Sequence, residues 1–377
     1  MTDTHEEVLH EEQLHGRYQY VEKRIEPNLS FPTRRCSLTT QGEEEPICKL
    51  DLLSFELRFG ATAIEVEGLG GVQTMPEHRR RGHMAALMDH ALGRATERVG
   101  AAFLFGIGRF YHRWGFVPVV PDTSMTLETA DVERTNGAAP RLVEGSTDDL
   151  ADAIALYNDV HGQRPCTVKR GSSWNRLAPD ETWQPGPEWY VWRHRGELLA
   201  YVVLRGHYAG WGPREIVARE LCAREPEHAS GVLRVLSRWA VAAHRQKLEV
   251  AEPVDSAAGV AARRFGCTVE HKYYATGFCM GVTLDRARWL GVLQPELERR
   301  GQAHRLEQTK SRAACAALLA GELVPDNGTL LQLMVGYVGY RDAGVSSGGH
   351  EEALRAWFAG TATETLPAPH SHRLDRY

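Results

Sequence analysis

Between residues 84 and 99 the apolar positions Met84, Leu87, Met88, Ala91, Leu92, Ala95 and Val99 recur three and four apart, and Gly100 ends the run. That spacing predicts an amphipathic helix with one buried stripe. Ahead of it, Ala63-Ile64-Glu65-Val66 leads into a strand through Gly71-Val72-Gln73-Thr74, which Pro76 stops; behind it, residues 101–105 form an unbroken apolar run that reads as a buried strand. Further upstream, residues 34–40 and 47–59 pair as a hairpin around Gln41-Gly42. Residues 6–25 read as one helix ended by Pro27 and Pro32, with no opening strand.

The pattern repeats weakly after the turn cluster at residues 135–140. Residues 141–143 precede a helix started by Ser146-Thr147-Asp148-Asp149, with an apolar face of Leu150, Ile154, Ala155 and Tyr157. A hairpin over residues 189–192 and 197–204, a strand over 216–222, and a helix carrying Val232, Val235, Leu236, Trp239, Ala240 and Ala243 follow. The remaining chain has a strand-like start, helical stretches at 286–298 and 313–321, the apolar run 330–337, a final helix over 351–358 and a Pro-marked tail. The fold class is α/β (α+β), in three segments: 1–140, 141–282 and 283–377. The second repeats the strand-then-helix grammar of the first, as an internal duplication would.

Composition narrows this picture. A chain of 377 residues, 42% hydrophobic, can bury several cores, and a net charge of −5 argues against a nucleic-acid field over the whole molecule. The polar, acidic start and the lack of an apolar run of membrane-spanning length lead us to expect a soluble cytoplasmic protein with no membrane partner. Seven scattered cysteines without a CxxC pair indicate neither a disulfide framework nor a zinc site. Seventeen histidines include no HExxH; His78, His83, His90 and His112 lack ligand spacing to nearby carboxylates, and the pair His370 and His372 lies in a tail, so no metal is expected.

The candidate chemistry sits where strand meets helix, at Pro76-Glu77-His78-Arg79-Arg80-Arg81-Gly82-His83-Met84. Free amides and the positive dipole end of the helix favour an anion there, a glycine admits phosphate close to the main chain, and arginines add charge-assisted donors. An arginine run by itself is most often a solvated charged face, and it could also be a nucleic-acid patch or a localisation signal. Its strand-and-helix setting points to a pyrophosphate cradle, while the absence of GxxxxGK[ST], and of GxGxxG at a strand-to-helix junction, disfavours Walker and Rossmann sites. The equivalent turn of the second segment, Arg224-Glu225-Pro226-Glu227-His228, has two carboxylates and no glycine, so that copy reads as structural. Tyr111 reads either as a proton donor or as part of an aromatic core with Phe110, Trp114 and Phe116; the chain end at Tyr377 reads either as a frayed terminus or as an anchored one.

Strand, Arg79-Arg80-Arg81-Gly82 turn, helix, strand and then Phe110-Tyr111-His112-Arg113-Trp114-Gly115-Phe116 together resemble the core of the GNAT acyltransferase superfamily, which binds acetyl-CoA. The signature R/Q-x-x-G-x-G/A is met at Arg79 and Gly82, with Met84 where a small residue is usual. One active and one degenerate GNAT-like domain, a sterol-carrier-protein-like third domain and an aromatic carboxy terminus resemble the Eis (enhanced intracellular survival) acetyltransferase family over residues 47–377. The resemblance implies a homo-oligomer, commonly a hexamer, and an amine acceptor of aminoglycoside-, polyamine- or lysine-like type; Asp375 near the tail reads either as a surface acid or as a carboxylate for that acceptor. It implies that Val72, Gln73 and Thr74 pair with the pantetheine arm through their backbone, that Arg80, Arg81, Gly82, His83, Met84 and Ala85 hold the pyrophosphate, and that Gly106 and Ile107 touch the cofactor where relatives often have Ser-Glu. Tyr111 is then the general acid and the terminal carboxylate of Tyr377 the general base. The opposing reading is a non-catalytic CoA- or lipid-binding assembly that keeps the fold, motivated by the short stretch ahead of residue 34, where a GNAT domain has a strand and two helices walling the acceptor pocket.

Overall fold

The computed structural model describes residues 7–14, 16, 18–25, 31–40, 45–178, 187–205 and 216–358. The described residues divide into two compact units, one joining those through Val119 to Tyr274–Phe358 and the other spanning Val120–Tyr273. This division departs from the three consecutive segments expected. The strand that completes the first unit's sheet lies beyond residue 273, so the intervening chain is an excursion rather than a successor.

The first unit begins with five antiparallel strands: β1 (Glu7–Leu14), β2 (Tyr18–Ile25), β3 (Thr33–Thr40), β4 (Cys48–Phe59) and β5 (Thr62–Thr74). The helix expected over residues 6–25 is thus replaced, from Glu7 on, by the β1–β2 hairpin, turned at Gly16 with φ of 65°. Tertiary pairing overrides local propensity here: β2 pairs with β3 from Tyr18↔Thr40 to Ile25↔Thr33. Gln41-Gly42, the expected turn between β3 and β4, lies outside the described residues. Helix α1 (His83–Thr96) follows β5 and buries Met84, Leu87, Met88, Ala91, Leu92 and Ala95, the stripe its periodicity predicts. It covers a core built from Tyr20, Leu38, Leu50, Leu52 and Leu69 on the strands beneath. Strand β6 (Ala101–Gly106) runs parallel to β5, Ala102 and Leu104 facing that core while Phe103 meets Phe59 on the other side; burial on both faces is why it reads as an unbroken apolar run. The short β7 (Val117–Pro118) ends this passage.

The second unit holds β8 (Asp122–Glu128), α2 (Thr129–Glu133), β9 (Val143–Glu144), α3 (Leu150–Val160), β10 (Glu188–His194), β11 (Glu197–Arg205), β12 (Ile216–Ala218), β13 (Glu220–Ala223), α4 (Pro226–Ala242), β14 (Lys247–Val250), α5 (Ala257–Phe265) and β15 (Thr268–Lys272). They form two four-stranded sheets, ordered β13-β11-β10-β9 and β12-β14-β8-β15. The expected strand over 216–222 is split at Arg219, its halves serving different sheets. Helix α3 buries Ala153, Leu156 and Tyr157, so the apolar face is rotated from the expected one: Ala155 is exposed and Ile154 half-buried. Strands β12 and β14 are parallel with α4 between them in sequence, the same strand-helix-strand grammar as β5, α1 and β6. At the start of α4, Glu225 occupies the N-cap and Glu227 pairs with Arg264 at 2.6 Å, so carboxylates occupy the end that would attract an anion.

Strand β16 (Phe278–Thr283) re-enters the first unit and inserts between β6 and β7, antiparallel to both, completing an eight-stranded sheet ordered β1-β2-β3-β4-β5-β6-β16-β7. Helices α6 (Arg286–Ala303), α7 (Gln308–Leu319), α8 (Asn327–Val335) and α9 (Glu351–Phe358) follow. The α+β expectation for residues 283–377 therefore meets four helices and, among the described residues beyond Thr283, no strand; its strand-like start belongs to the first unit's sheet. Trp289 of α6 packs edge-on to Phe59, on the sheet face opposite α1. Glu296 accepts from the Ala61 amide at 3.2 Å and from Arg300 at 2.8 Å, tying α6 to the β4–β5 turn. Among the described residues no helix is long and apolar enough to cross a membrane.

Candidate active site

Two glycines shape the end of β5. Its parallel pairing with β6 runs from Glu67↔Ala102 to Leu69↔Leu104 and stops, while β5 continues to Thr74 along β4. The β4 ladder is irregular between Lys49 and Asp51, opposite Gly70 and Gly71. Gly71 has φ of 57°, and a Cβ there would lie 2.7 Å from Asp51 Oδ2, a carboxylate gripped by Arg35 at 2.8 and 3.1 Å. Only glycine fits this bulge, which turns the strand and separates β5 from β6. The backbone of Val72, Gln73 and Thr74 thereby keeps an edge that β6 does not use.

The chain then makes a single 3-10 turn at Pro76–His78. Arg79 Nε donates to the Thr74 carbonyl at 3.2 Å, closing the loop. Arg80 is left-handed at φ 63°, and Gly82, at φ 84°, is the N-cap of α1 without a side-chain partner. The first intrahelical bond from the cap is Ala86 N–H to Gly82 O at 3.1 Å, so the amides of His83, Met84 and Ala85 precede any helical acceptor. Met84, the departure from the small residue of the signature, buries itself in the core under α1. The imidazole of His83 lies edge-on to Tyr18 at 5.3 Å; burial, with His78 and Arg81 nearby, lowers its pKa and keeps it neutral.

The opposite wall follows β6. Ile107 is 71% exposed, and Arg109, left-handed at φ 63°, is braced by its N–H donating to Thr276 Oγ1 at 3.1 Å. A single 3-10 turn, Tyr111–Trp114, ends at Gly115 with φ of 81°. Tyr111 is 8% exposed, packed among Phe110, Trp114 and Phe116 with ring centroids 4.8, 6.5 and 6.1 Å away. Gly106 sits beneath this ring, and a Cβ on it would lie 2.3 Å from Tyr111 Cε2. Burial raises the phenol pKa, and no hydrogen bond engages its hydroxyl among the described residues.

These walls enclose a cleft of about 580 Å³. Val72, Gln73, Thr74, the Arg80–Ala85 stretch, Ile107 and Tyr111 all line it, whereas Gly106 supports Tyr111 from behind. Sequence reasoning passed over Arg113 and Trp114, which also line the cleft: the Arg113 guanidinium lies over the Phe110 and Trp114 rings at 5.2 and 5.3 Å, and Trp114 donates to Asp89 at 2.7 Å. The aromatic segment already held that signal, an arginine between two rings. Among the described residues, four arginines and two histidines line the cleft and no carboxylate does. The arrangement fits a long anionic ligand, with an unpaired strand edge for an amide-bearing arm, open amides and arginines for a pyrophosphate, and a neutral phenol at the apolar end. Tyr377 and Asp375 lie outside the described residues.

Residues 1–119 match the family described as an acetyltransferase (GNAT) domain. No curated protein matches the chain. Among solved structures, a probable N-acyltransferase of unknown function from Enterococcus faecalis is 14% identical with a TM-score of 0.53, covering 67% of this chain and 63% of its own. A GCN5-related N-acetyltransferase from Anabaena variabilis gives 14%, 0.55, 67% and 63%, and Eis1 from Mycobacterium abscessus 18%, 0.50, 68% and 66%. The chain therefore spans just under two thirds of each of these structures. The cleft lies within a segment similar to GNAT acetyltransferase domains, and the fold of the chain is similar to those of a probable N-acyltransferase, a GCN5-related N-acetyltransferase and Eis1.

Proposed function

We propose that the protein is an acetyl-CoA-dependent N-acetyltransferase acting on a primary amine of aminoglycoside, polyamine or lysine type by direct attack in a ternary complex. The observation that carries this reading is the strand separation past Leu69, which opens a free backbone edge leading to the Gly82-capped end of α1 and flanked by Tyr111. Val72, Gln73 and Thr74 pair with the pantetheine amides, and the Arg80–Ala85 stretch binds the pyrophosphate. The amine nitrogen forms its bond to the acetyl carbonyl carbon and the C–S bond breaks. Tyr111 gives its proton to the departing sulfur, and the terminal carboxylate of Tyr377 takes one from the amine. The match to a GNAT domain and the likeness to Eis1 support this reading. By the same likeness we assign the second unit a structural GNAT-like role, the C-terminal region the delivery of the tail, and the assembly a cytoplasmic homohexamer.

A second reading, a CoA- or lipid-binding assembly without turnover, is favoured by one feature. Ile25 pairs with Thr33, so the connection between β2 and β3, residues 26–32, is too short for the two helices that wall the acceptor pocket in a complete GNAT domain. Thiol release from acetyl-CoA across an amine panel, alongside calorimetric CoA binding, separates the two. Turnover together with binding supports the enzyme; binding without turnover supports the assembly; neither overturns the enzyme and a CoA-binding assembly alike. Adding one residue after Tyr377 moves the carboxylate by about 3.5 Å, which should cut the rate and leave CoA affinity unchanged.

A further inference from the structure

Away from the cleft, the fold joins three groups that sequence spacing keeps apart. His10 and Glu12 lie two apart on β1, hence on one face of the strand, opposite Glu22 and Tyr20 of β2. His90 projects from α1, its ring 4.1 Å from that of Tyr20, which also lies 6.2 Å from the His10 ring. One Glu12 carboxylate oxygen stands 3.4 Å from His10 Nε2 and 3.5 Å from His90 Nε2, and the three donor atoms fall within 4.8 Å of one another.

These separations are long for hydrogen bonds. The two separations from Glu12 are close instead to the edge of a tetrahedron around an ion with ligand distances near 2.0–2.1 Å, roughly 3.3–3.4 Å. His90 Nε2 is a buried polar atom with no hydrogen-bond partner, and it faces this point. Arg94 is committed to Glu22 at 3.1 Å. Glu12 is 49% exposed, leaving a fourth position open to water.

We propose that His10, Glu12 and His90 form a binding site for a divalent first-row cation of the zinc type, with water as fourth ligand, which clamps the exposed edge strand β1 to α1. Two imidazoles and a carboxylate suit zinc, and imidazole-rich sets also take copper and nickel. The site lies seven residues, about 10 Å, along α1 from His83 at its anion-binding end. Its role is therefore to fix the helix and strand rather than to touch the reacting atoms.

The test uses the full chain, stripped with a chelator, dialysed and titrated with Zn2+ against a chromophoric competitor. One ion should bind per chain, with His90→Ala and Glu12→Gln each weakening it by at least about 10- to 100-fold, and a His370→Ala/His372→Ala variant binding as wild type does. In hydrogen exchange, Zn2+ should slow the β1 amides of the wild type and leave those of Glu12→Gln unchanged. Glu12→Gln alters one half-exposed side chain, so it reports even if His90→Ala fails to fold. The proposal is overturned by the absence of one-to-one binding, by affinity indifferent to Glu12→Gln, or by loss of the ion in the tail variant.

Discussion

Gly106 carries no side chain because the Tyr111 ring occupies the space, 2.3 Å from where its Cβ would stand. That contact makes Gly106 a positioning residue and gives a paired prediction. Tyr111→Phe should lower kcat by about 100-fold, the usual worth of a positioned proton donor. Gly106→Ala should approach the same loss by displacing the ring, and both should keep CoA affinity, because the pyrophosphate end is untouched. Steady-state kinetics with calorimetric CoA binding checks the pair; unchanged kcat in Tyr111→Phe would remove the tyrosine from the chemistry. Because burial raises this phenol above its ordinary 10.0, its protonated form persists across the neutral and mildly alkaline range. The pH profile of kcat should then show no alkaline fall from this group below about pH 10, a fall appearing only as pH rises through the raised value. Gly71 makes a parallel case: a Cβ there would meet Asp51 at 2.7 Å in a left-handed backbone, so Gly71→Ala should weaken CoA binding by closing the strand separation.

Elements are held together by buried charge as much as by apolar contact. Glu22 of β2, 2% exposed, lies 3.4 Å from Arg34 of β3 and 3.1 Å from Arg94 of α1, while Glu67 of β5 pairs with Arg34 and with Arg98 just beyond α1. Removing one partner leaves buried charge uncompensated, so Glu22→Gln should cost about 3 kcal/mol in urea unfolding. Glu296 gives the pH dependence: burial pushes its carboxyl up, yet the hydrogen bond from Arg299 and the charge of Arg300 hold it below its ordinary 4.5. A depressed carboxyl stabilises the fold above its unfolded pKa and loses that contribution as pH falls through the folded one. Urea midpoints measured from pH 7 to 3 should fall more steeply in wild type than in Glu296→Gln; equal slopes would refute this. The same interactions explain what could be read in advance. The α1 stripe from Met84 to Ala95 and the apolar run of β6 were legible because their periodicity reflects burial directly. β1 and β2 were not, because β1 is a polar edge strand and the charge of buried Glu22 is met by arginines 12, 72 and 76 residues away. Arg80 to Ala85 could be read from the strand-to-helix junction; His10 and His90 could not, since only the β1–β2 hairpin brings them together.

At the scale of the molecule, the family match ends at residue 119 but the sheet does not. Strand β6, which leads into one wall of the cleft, has β5 on one side for three registered pairs and β16 on the other for six, from Phe278↔Gly106 to Thr283↔Ala101. Residues 1–119 alone would leave the β6 edge unpaired and Phe59 without Trp289. An apolar edge of that kind invites aggregation. Val119 N–H donates to Cys279 O at 3.0 Å, so the points where the excursion leaves and returns lie close together, and a short Gly/Ser linker between Val119 and Tyr274 should span them. We therefore expect the fragment 1–119 to be insoluble or unfolded, whereas residues 1–119 linked to 274–377 should unfold cooperatively and retain CoA binding within about threefold, since the described residues that line the cleft lie within 72–114. Circular dichroism melts with calorimetric CoA titration decide it. A cooperative, CoA-binding 1–119 fragment would mean that β16 and the helices after it are dispensable to the cleft.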